Sequence, residues 1–387
     1  MSGSNSTTRS RWSAFPEGTE RIDVHSLPDG FVGGGESAGI KVGGAPDLGI
    51  VACLGEAPAS AIVLTTNAVA AAPVRVCREE VDRDRIRAVV VTSGNANCAT
   101  GDQGLAAARR IREGAATGLG FDPASVAIAQ TGVIGVQLEP EPVAEAAHRL
   151  TGNLDGDGGG AFAEAILTTD LGTKTLAVRA DGVTVTAQAK GAGMIEPGMA
   201  TMLCFIQTDA VVDAPDRVLA DATERSFNRI SVDGQMSTND TVLLQASGRS
   251  DRPLPDGLLD AVALELALAI VADGEGATRV CRVDVEGGAD AAEADRVARA
   301  IANSPLVKTA LFGRDPNWGR VLQAAGAALA GGDLGELGRE AVRADELAGP
   351  ENEVEIGLDL GRGEGTGHAY FSDLTPRYIE INAEYTT

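Results

Sequence analysis

KGAGMIEPGMATMLCFIQTDA, residues 190–210, decides how the chain is read. Glycine and proline crowd its first half, and an apolar run, MLCFIQT, fills its second. Such a sequence predicts a bent loop delivering the chain into a buried strand. Upstream, Val183–Ala189 alternates as a strand. Downstream, Asp213–Asn228 reads as a helix, and Gly257–Ala272 repeats apolar residues near a 3.6 period. The same alternation extends outward. Leu48–Leu54, Ala61–Thr66 and Ile86–Thr92 read as strands, Leu105–Gly118 and Pro142–Leu150 as helices, and SVAIAQTGVIG as a strand ending in a Thr-Gly loop. RVCRVDVEG reads as a strand, Ala291–Asn303 as a helix, SPLVKTALFG as a strand, and the closing EVEIGLDLG and YIEINAEY as strands. The glycines of FVGGGESAGIK, 31–41, suggest a turn, and 326–351 carries no clear pattern. Interleaved strands and helices make the class α/β.

Composition narrows the functions. The 387 residues are 44% hydrophobic and only 3% aromatic, with 49 glycines, so the core is Ala/Val/Leu/Ile set among tight turns. At about 150 residues per domain, this length predicts two to three domains or one large one. Against 32 basic residues stand 55 acidic ones, a net charge of −23. That field repels phosphate backbones and anionic lipid, so neither nucleic acid nor membrane is an expected partner. Five scattered cysteines with no CxxC make neither a disulfide framework nor a zinc site, and no metal is expected. No run of 18 apolar residues occurs, and the polar start lacks the apolar centre of a signal peptide. Residues 1–20 read as a disordered tail, and the location as cytoplasmic.

Three histidines, His25, His148 and His368, leave little for histidine-based catalysis. No GxxxxGK[ST] is present, nor a convincing GxGxxG between strand and helix. Threonines stand at loop junctions instead: Thr131, Thr168-Thr169 and Thr201. One chemistry unites them without histidine. An internal threonine hydroxyl attacks the preceding carbonyl, the peptide becomes an ester, and water cleaves it. The freed α-amino group, of ordinary pKa about 7.7–8, then serves as base for its own hydroxyl. Gly191, Gly193 and Gly198 would let the backbone turn sharply enough. On these residues alone, that chemistry stands beside the ordinary reading of threonines in buried strands.

The motifs are more specific together. KGAGMIEPGMATML at 190–203 resembles the self-cleavage segment of the ornithine acetyltransferase family, the glutamate N-acetyltransferases of arginine biosynthesis. In the same order run AGIK (38–41), TTNAVAAAPV (65–74), SGNANCATG (93–101), TGVIG (131–135), TTD (168–170), SFNRISVDGQMSTNDT (226–241), DGEGATR (273–279), SPLVKTALFGRDPNWGR (304–320) and INAEYTT (381–387). The resemblance implies a layered α/β sandwich, similar to N-terminal-nucleophile hydrolases but distinct from them. It implies cleavage between Ala200 and Thr201, with residues 21–200 forming an α chain behind the tail and 201–387 a β chain. Thr201 would be nucleophile and base, and Thr131 with the Gly132 N–H the oxyanion hole. Thr168 or Thr169, Lys190, Thr201, Glu275, Asn382 and Thr387 would line the substrate pocket. Lys190 suits a carboxylate and Glu275 an ammonium.

The implied reaction is a ping-pong transfer of acetyl from N-acetylornithine to glutamate, with no cofactor. Some members also use acetyl-CoA as donor, and the sequence leaves both kinds open. The implied assembly is two αβ units. Gly198 stands where the family usually has Asn, Gln235-Met236 where it has Asp-Thr, Arg279 where it has Lys, and Ser372 where it has Cys. Glu196-Pro197 looks like relatives from antibiotic gene clusters. Three alternatives remain: a paralogue acting on other N-acyl amino acids, an N-terminal-nucleophile amidohydrolase or aminopeptidase, and an acidic binding protein with a decayed site.

Overall fold

A computed structural model describes residues 9–55, 58–196, 202–332 and 337–384. Its central sheet runs in the order β1 (Glu20–Arg21), β7 (Lys174–Ala180), β8 (Val183–Lys190), β9 (Leu203–Thr208), β11 (Thr241–Ala246) and β4 (Ala59–Leu64). Strands β8 and β9 are antiparallel neighbours, with Lys190 opposite Leu203. Every residue of β8, β9 and β11 is buried, because both faces of this sheet are covered. Burial on both faces favours continuous apolar runs over alternation.

On one face lies a four-stranded sheet in the order β2 (Phe31–Glu36), β3 (Leu48–Cys53), β5 (Ala88–Asn95), β6 (Val126–Val133). Phe162 and Phe205 meet edge-to-face in the core between the sheets, ring centroids 5.3 Å apart. Helices α1 (Ala72–Glu80), α2 (Gly101–Leu119) and α3 (Pro140–Leu150) cover this second sheet, and α4 (Gly159–Ala165) packs on β2 and β3. On the other face of the central sheet lie α5 (Pro215–Arg225) and α6 (Leu258–Ala272). Helix α6 also touches the third sheet, and apolar residues surround most of it, as a helix enclosed by neighbours requires. The third sheet runs β10 (Ile230–Ser231), β15 (Gly365–Ser372), β12 (Val280–Gly288), β14 (Glu353–Asp359), β13 (Val342–Arg343). Its own core is closed by α7 (Ala291–Ala302), α8 (Pro305–Phe312) and α9 (Trp318–Ala328). The last described element is α10 (Pro376–Glu384). The molecule is a layered α/β structure, as the sequence indicates.

Four local expectations are corrected. SPLVKTALFG is helix α8, not a strand: Pro305 occupies its first turn and the Ser304 hydroxyl accepts the Val307 N–H at 3.4 Å. YIEINAEY falls mostly in α10, which also opens on a proline. The glycines of FVGGGE form strand β2 rather than a turn, because α4 lies so close. A Cβ on Gly35 would sit 2.2 Å from the Ala161 carbonyl oxygen. Residues 9–20, expected to be loose, are tied down. Trp12 donates its indole N–H to Glu355 at 2.6 Å and stacks near Tyr370, and Arg11 pairs with Glu346 at 2.8 Å.

Candidate active site

Three strand ends converge between the central sheet and the four-stranded sheet. Strand β6 carries Thr131 and Gly132 past its parallel neighbour β5, β8 ends on Lys190, and β9 begins beside it at Leu203. Gly132 has φ +133°, and a Cβ there would lie 2.3 Å from the Gly94 carbonyl carbon. Glycine is therefore obligatory here, within the end of β6 rather than in the loop expected from the sequence, where pairing with β5 turns irregular.

Lys190 is 2% exposed, unlike the surface lysine an acidic chain would ordinarily carry. Its Nζ donates to the Thr168 Oγ1 at 2.6 Å and to the Thr131 Oγ1 at 3.2 Å. Burial lowers its pKa, and Asp170 opposes that loss. Asp170 is hidden from solvent and lies 3.9 Å from the same Nζ. Its Oδ1 accepts the Lys174 ammonium at 2.6 Å and the Gly191 N–H at 2.6 Å; its Oδ2 accepts the Thr168 N–H at 3.0 Å. Burial works to raise this carboxyl, yet Lys190 and Lys174 hold it well below the usual carboxylate range. Lys174 in turn binds Asp273 at 2.5 Å.

Two more carboxylates grip the same stretch of backbone. Asp233 accepts the Met194 and Ile195 N–H groups at 2.7 and 2.8 Å, holding Met194 at φ +54°. Asp240 Oδ1 accepts the Met202 N–H at 3.0 Å, while its Oδ2, equally buried, has no partner among the described residues. Burial pushes the Asp240 carboxyl up to about 7. The chain is thus pinned before residue 197 and directly after residue 201.

Glu275 closes another side. Its backbone N–H bonds the Ala192 carbonyl at 2.9 Å, and a Cβ on Gly193 would lie 2.8 Å from its carboxyl. Asn382, on α10, donates to Glu275 Oε2 at 2.7 Å. The structure therefore brings Thr131, Gly132, Thr168 and Lys190 together, with Glu275 and Asn382 joined beside them. Thr168, not Thr169, is the threonine bonded to Lys190. Gly198, Ala200, Thr201 and Thr387 lie outside the described residues. Asp170, Asp233 and Asp240 stand inside quoted motifs, but sequence reasoning assigned them no part. Their signal was present: each acid sits in or beside an apolar or small-residue segment, where an unpaired carboxylate is costly.

The five cysteines are buried thiols, none of them in a disulfide. Among the described residues no group of three or more His, Cys, Asp or Glu is placed to hold a metal, and no helix is long and apolar enough to cross a membrane.

A sequence model of the ArgJ family matches residues 33–387. The chain is 44% identical to the arginine biosynthesis bifunctional protein ArgJ of Gloeobacter violaceus over 394 residues, covering 92% of this chain and 96% of the relative. It is 43% identical to the protein of that name from Thermus thermophilus over 392 residues, covering 93% and 99%. A solved chain of Mycobacterium tuberculosis ornithine acetyltransferase, complexed with ornithine, is 33% identical, covers 48% of this chain and 99% of its own length, and superposes with a TM-score of 0.44.

Proposed function

The chain belongs to the ArgJ family, and from that premise we propose that it is an ornithine acetyltransferase of arginine biosynthesis, carrying acetyl from N-acetylornithine to glutamate on Thr201. The observation that carries the reading is the buried Lys190 ammonium held between the Thr131 and Thr168 hydroxyls, at the mouth of a backbone segment pinned on both sides.

Activation comes first. The Thr201 hydroxyl attacks the Ala200 carbonyl carbon, the peptide C–N bond breaks, and the resulting ester is hydrolysed by water. The new α-amino group of Thr201 takes the proton from its own hydroxyl as that oxygen attacks the acetyl carbonyl of N-acetylornithine. The oxyanion of the tetrahedral intermediate sits between the Thr131 hydroxyl and the Gly132 N–H. Thr131 is supported in this role because its oxygen already accepts from Lys190, so its own proton is directed elsewhere. Collapse expels the ornithine amine, which takes back the proton, and leaves acetyl-Thr201. Glutamate's amine then attacks the ester, and the same groups regenerate the free threonine. Lys190 pairs with the substrate carboxylate, Glu275 with the ornithine ammonium, and Thr168, Asn382 and Thr387 complete the pocket. Acetyl-CoA would load the same hydroxyl as a second donor.

Intact mass under denaturing conditions tests the activation. Two species of about half of 39.5 kDa each are expected, the second beginning at Thr201. Thr201→Ala stays a single chain and transfers nothing; a Thr201→Ala protein that still splits rejects the scheme. Supplying N-acetylornithine or acetyl-CoA as sole donor to glutamate then identifies the donor. Cleavage without either transfer would move the substrate to another N-acyl amino acid, and hydrolysis exceeding transfer would make the protein an amidohydrolase.

A further inference from the structure

The acetyl-transfer chemistry uses Lys190 but leaves open why an ammonium survives in so dry a place. Lys190 is almost wholly buried, and desolvation of that kind can lower a lysine by several pH units. The two groups it bonds, the Thr131 and Thr168 hydroxyls, are neutral and compensate only in part.

We propose that Asp170 is a positioning residue of this site: it fixes the Lys190 ammonium between the two threonine hydroxyls and keeps it charged for a substrate carboxylate. The carboxylate binds the chain on two sides of the lysine. One oxygen binds the Gly191 N–H, directing the chain immediately after the lysine, and the other binds the Thr168 N–H, directing the hydroxyl that Lys190 meets. It stands 3.9 Å from Nζ, where an opposite charge matters most. Lys174 is bound to Asp170 on the far side and to Asp273 behind it, while Lys190 itself does most to keep the carboxylate ionised. The row Asp273–Lys174–Asp170–Lys190 alternates in sign from the loop after α6 to the reacting centre. The use of the charge rests on the acetyl-transfer reading; its existence rests on the geometry.

Lys190 also faces Asp240 and Glu275, which favour its charge, and Lys174 and Lys41, which oppose it. Removing Asp170 and removing Lys174 should therefore move it in opposite senses, which structural damage alone would not do.

The chain has four lysines, Lys41, Lys174, Lys190 and Lys308. Carbon-13 labelling at lysine Cε thus lets NMR follow Lys190 directly, its signal assigned by its loss in Lys190→Arg. In Asp170→Asn, which keeps the shape and an acceptor oxygen, the Lys190 midpoint is expected to fall by about 1–3 pH units. In Lys174→Gln it is not expected to fall. In parallel, Asp170→Asn should lose about tenfold or more in kcat/KM for N-acetylornithine at alkaline pH, mainly through KM, and recover toward the parent as pH is lowered. An unmoved Lys190 midpoint in Asp170→Asn overturns the proposal, as does an equal downward shift in both variants. Should Asp170→Asn not fold, a fall in the Lys190 midpoint of Lys174→Gln overturns it alone. A shifted midpoint in a protein that never transfers acetyl sustains Asp170 and sinks the acetyl-transfer reading instead.

Discussion

At the scale of the residue, the site depends on hydroxyls and carboxyls whose partners are already chosen. On the proposed mechanism Thr131→Ala removes one donor to the developing oxyanion, and such a loss costs about 10²–10³ in rate. Both self-cleavage and acetyl transfer should slow by that order, measured as the half-time of chain splitting and as kcat; unchanged kinetics reject Thr131 as a donor. Asp240 gives a prediction in pH. Burial raises its carboxyl from an ordinary 3.8 to about 7. Between those values the folded chain holds a proton that the unfolded chain has released, so this group makes stability fall as pH rises through that window. Asp240→Asn removes the titration and still accepts the Met202 N–H. Its Tm relative to the parent should therefore be higher at pH 8 than at pH 5, by a few degrees; an equal difference at both values refutes the assignment. Lys190, Thr131, Thr168, Glu275 and Asn382 were legible in the sequence because their motifs travel together. The three aspartates had no assigned part: each binds backbone N–H groups, which leave no mark on residue spacing, and the lysines around Asp170 meet it only through the fold.

Among the elements, close approach explains the glycines. Helices α2 and α3 pack so tightly at Gly114 that a Cβ would lie 2.3 Å from the Ala144 carbonyl oxygen. In an open helix, alanine would gain about 1 kcal/mol over glycine. Here overpacking, which typically costs about 1–3 kcal/mol, should win. Gly114→Ala is expected to unfold at lower temperature, and a raised Tm would show that the helices part freely. Strand β8 was readable from its alternation and β9 and β12 from their apolar runs, while β11 was not picked out. Helices α8 and α10 were not, because short apolar stretches fit either period and the deciding signal is the proline in the first turn. Strand β2 was misread for a related reason: its glycines serve a neighbour, α4, that sequence order does not reveal.

The whole molecule carries a net charge of −23, and on the proposed reading its substrates are amino acids. N-acetylornithine, with one carboxylate and one ammonium, is neutral overall, whereas glutamate is a net anion. The surrounding field therefore opposes only the second substrate, and salt screens it. Raising ionic strength should increase kcat/KM for glutamate severalfold while leaving that for N-acetylornithine nearly flat; identical salt responses would place the charge too far from the entrance to act. The α/β class was visible from interleaved elements, whereas the layered stacking of sheets came only from the family resemblance, since it depends on which strands are covered on both faces.

The order of the central sheet has one more consequence. Strands before residue 197 contribute β1, β7, β8 and β4, those after residue 201 contribute β9 and β11, and the two groups join along both the β8–β9 and the β11–β4 edges. A chain opened between them would be sewn along two seams, with its new ends rooted mid-sheet. Its halves would be born as partners in one-to-one number, without ever having to find each other in solution. Neither half would keep the whole central sheet if expressed alone, so each would be completed only by the other.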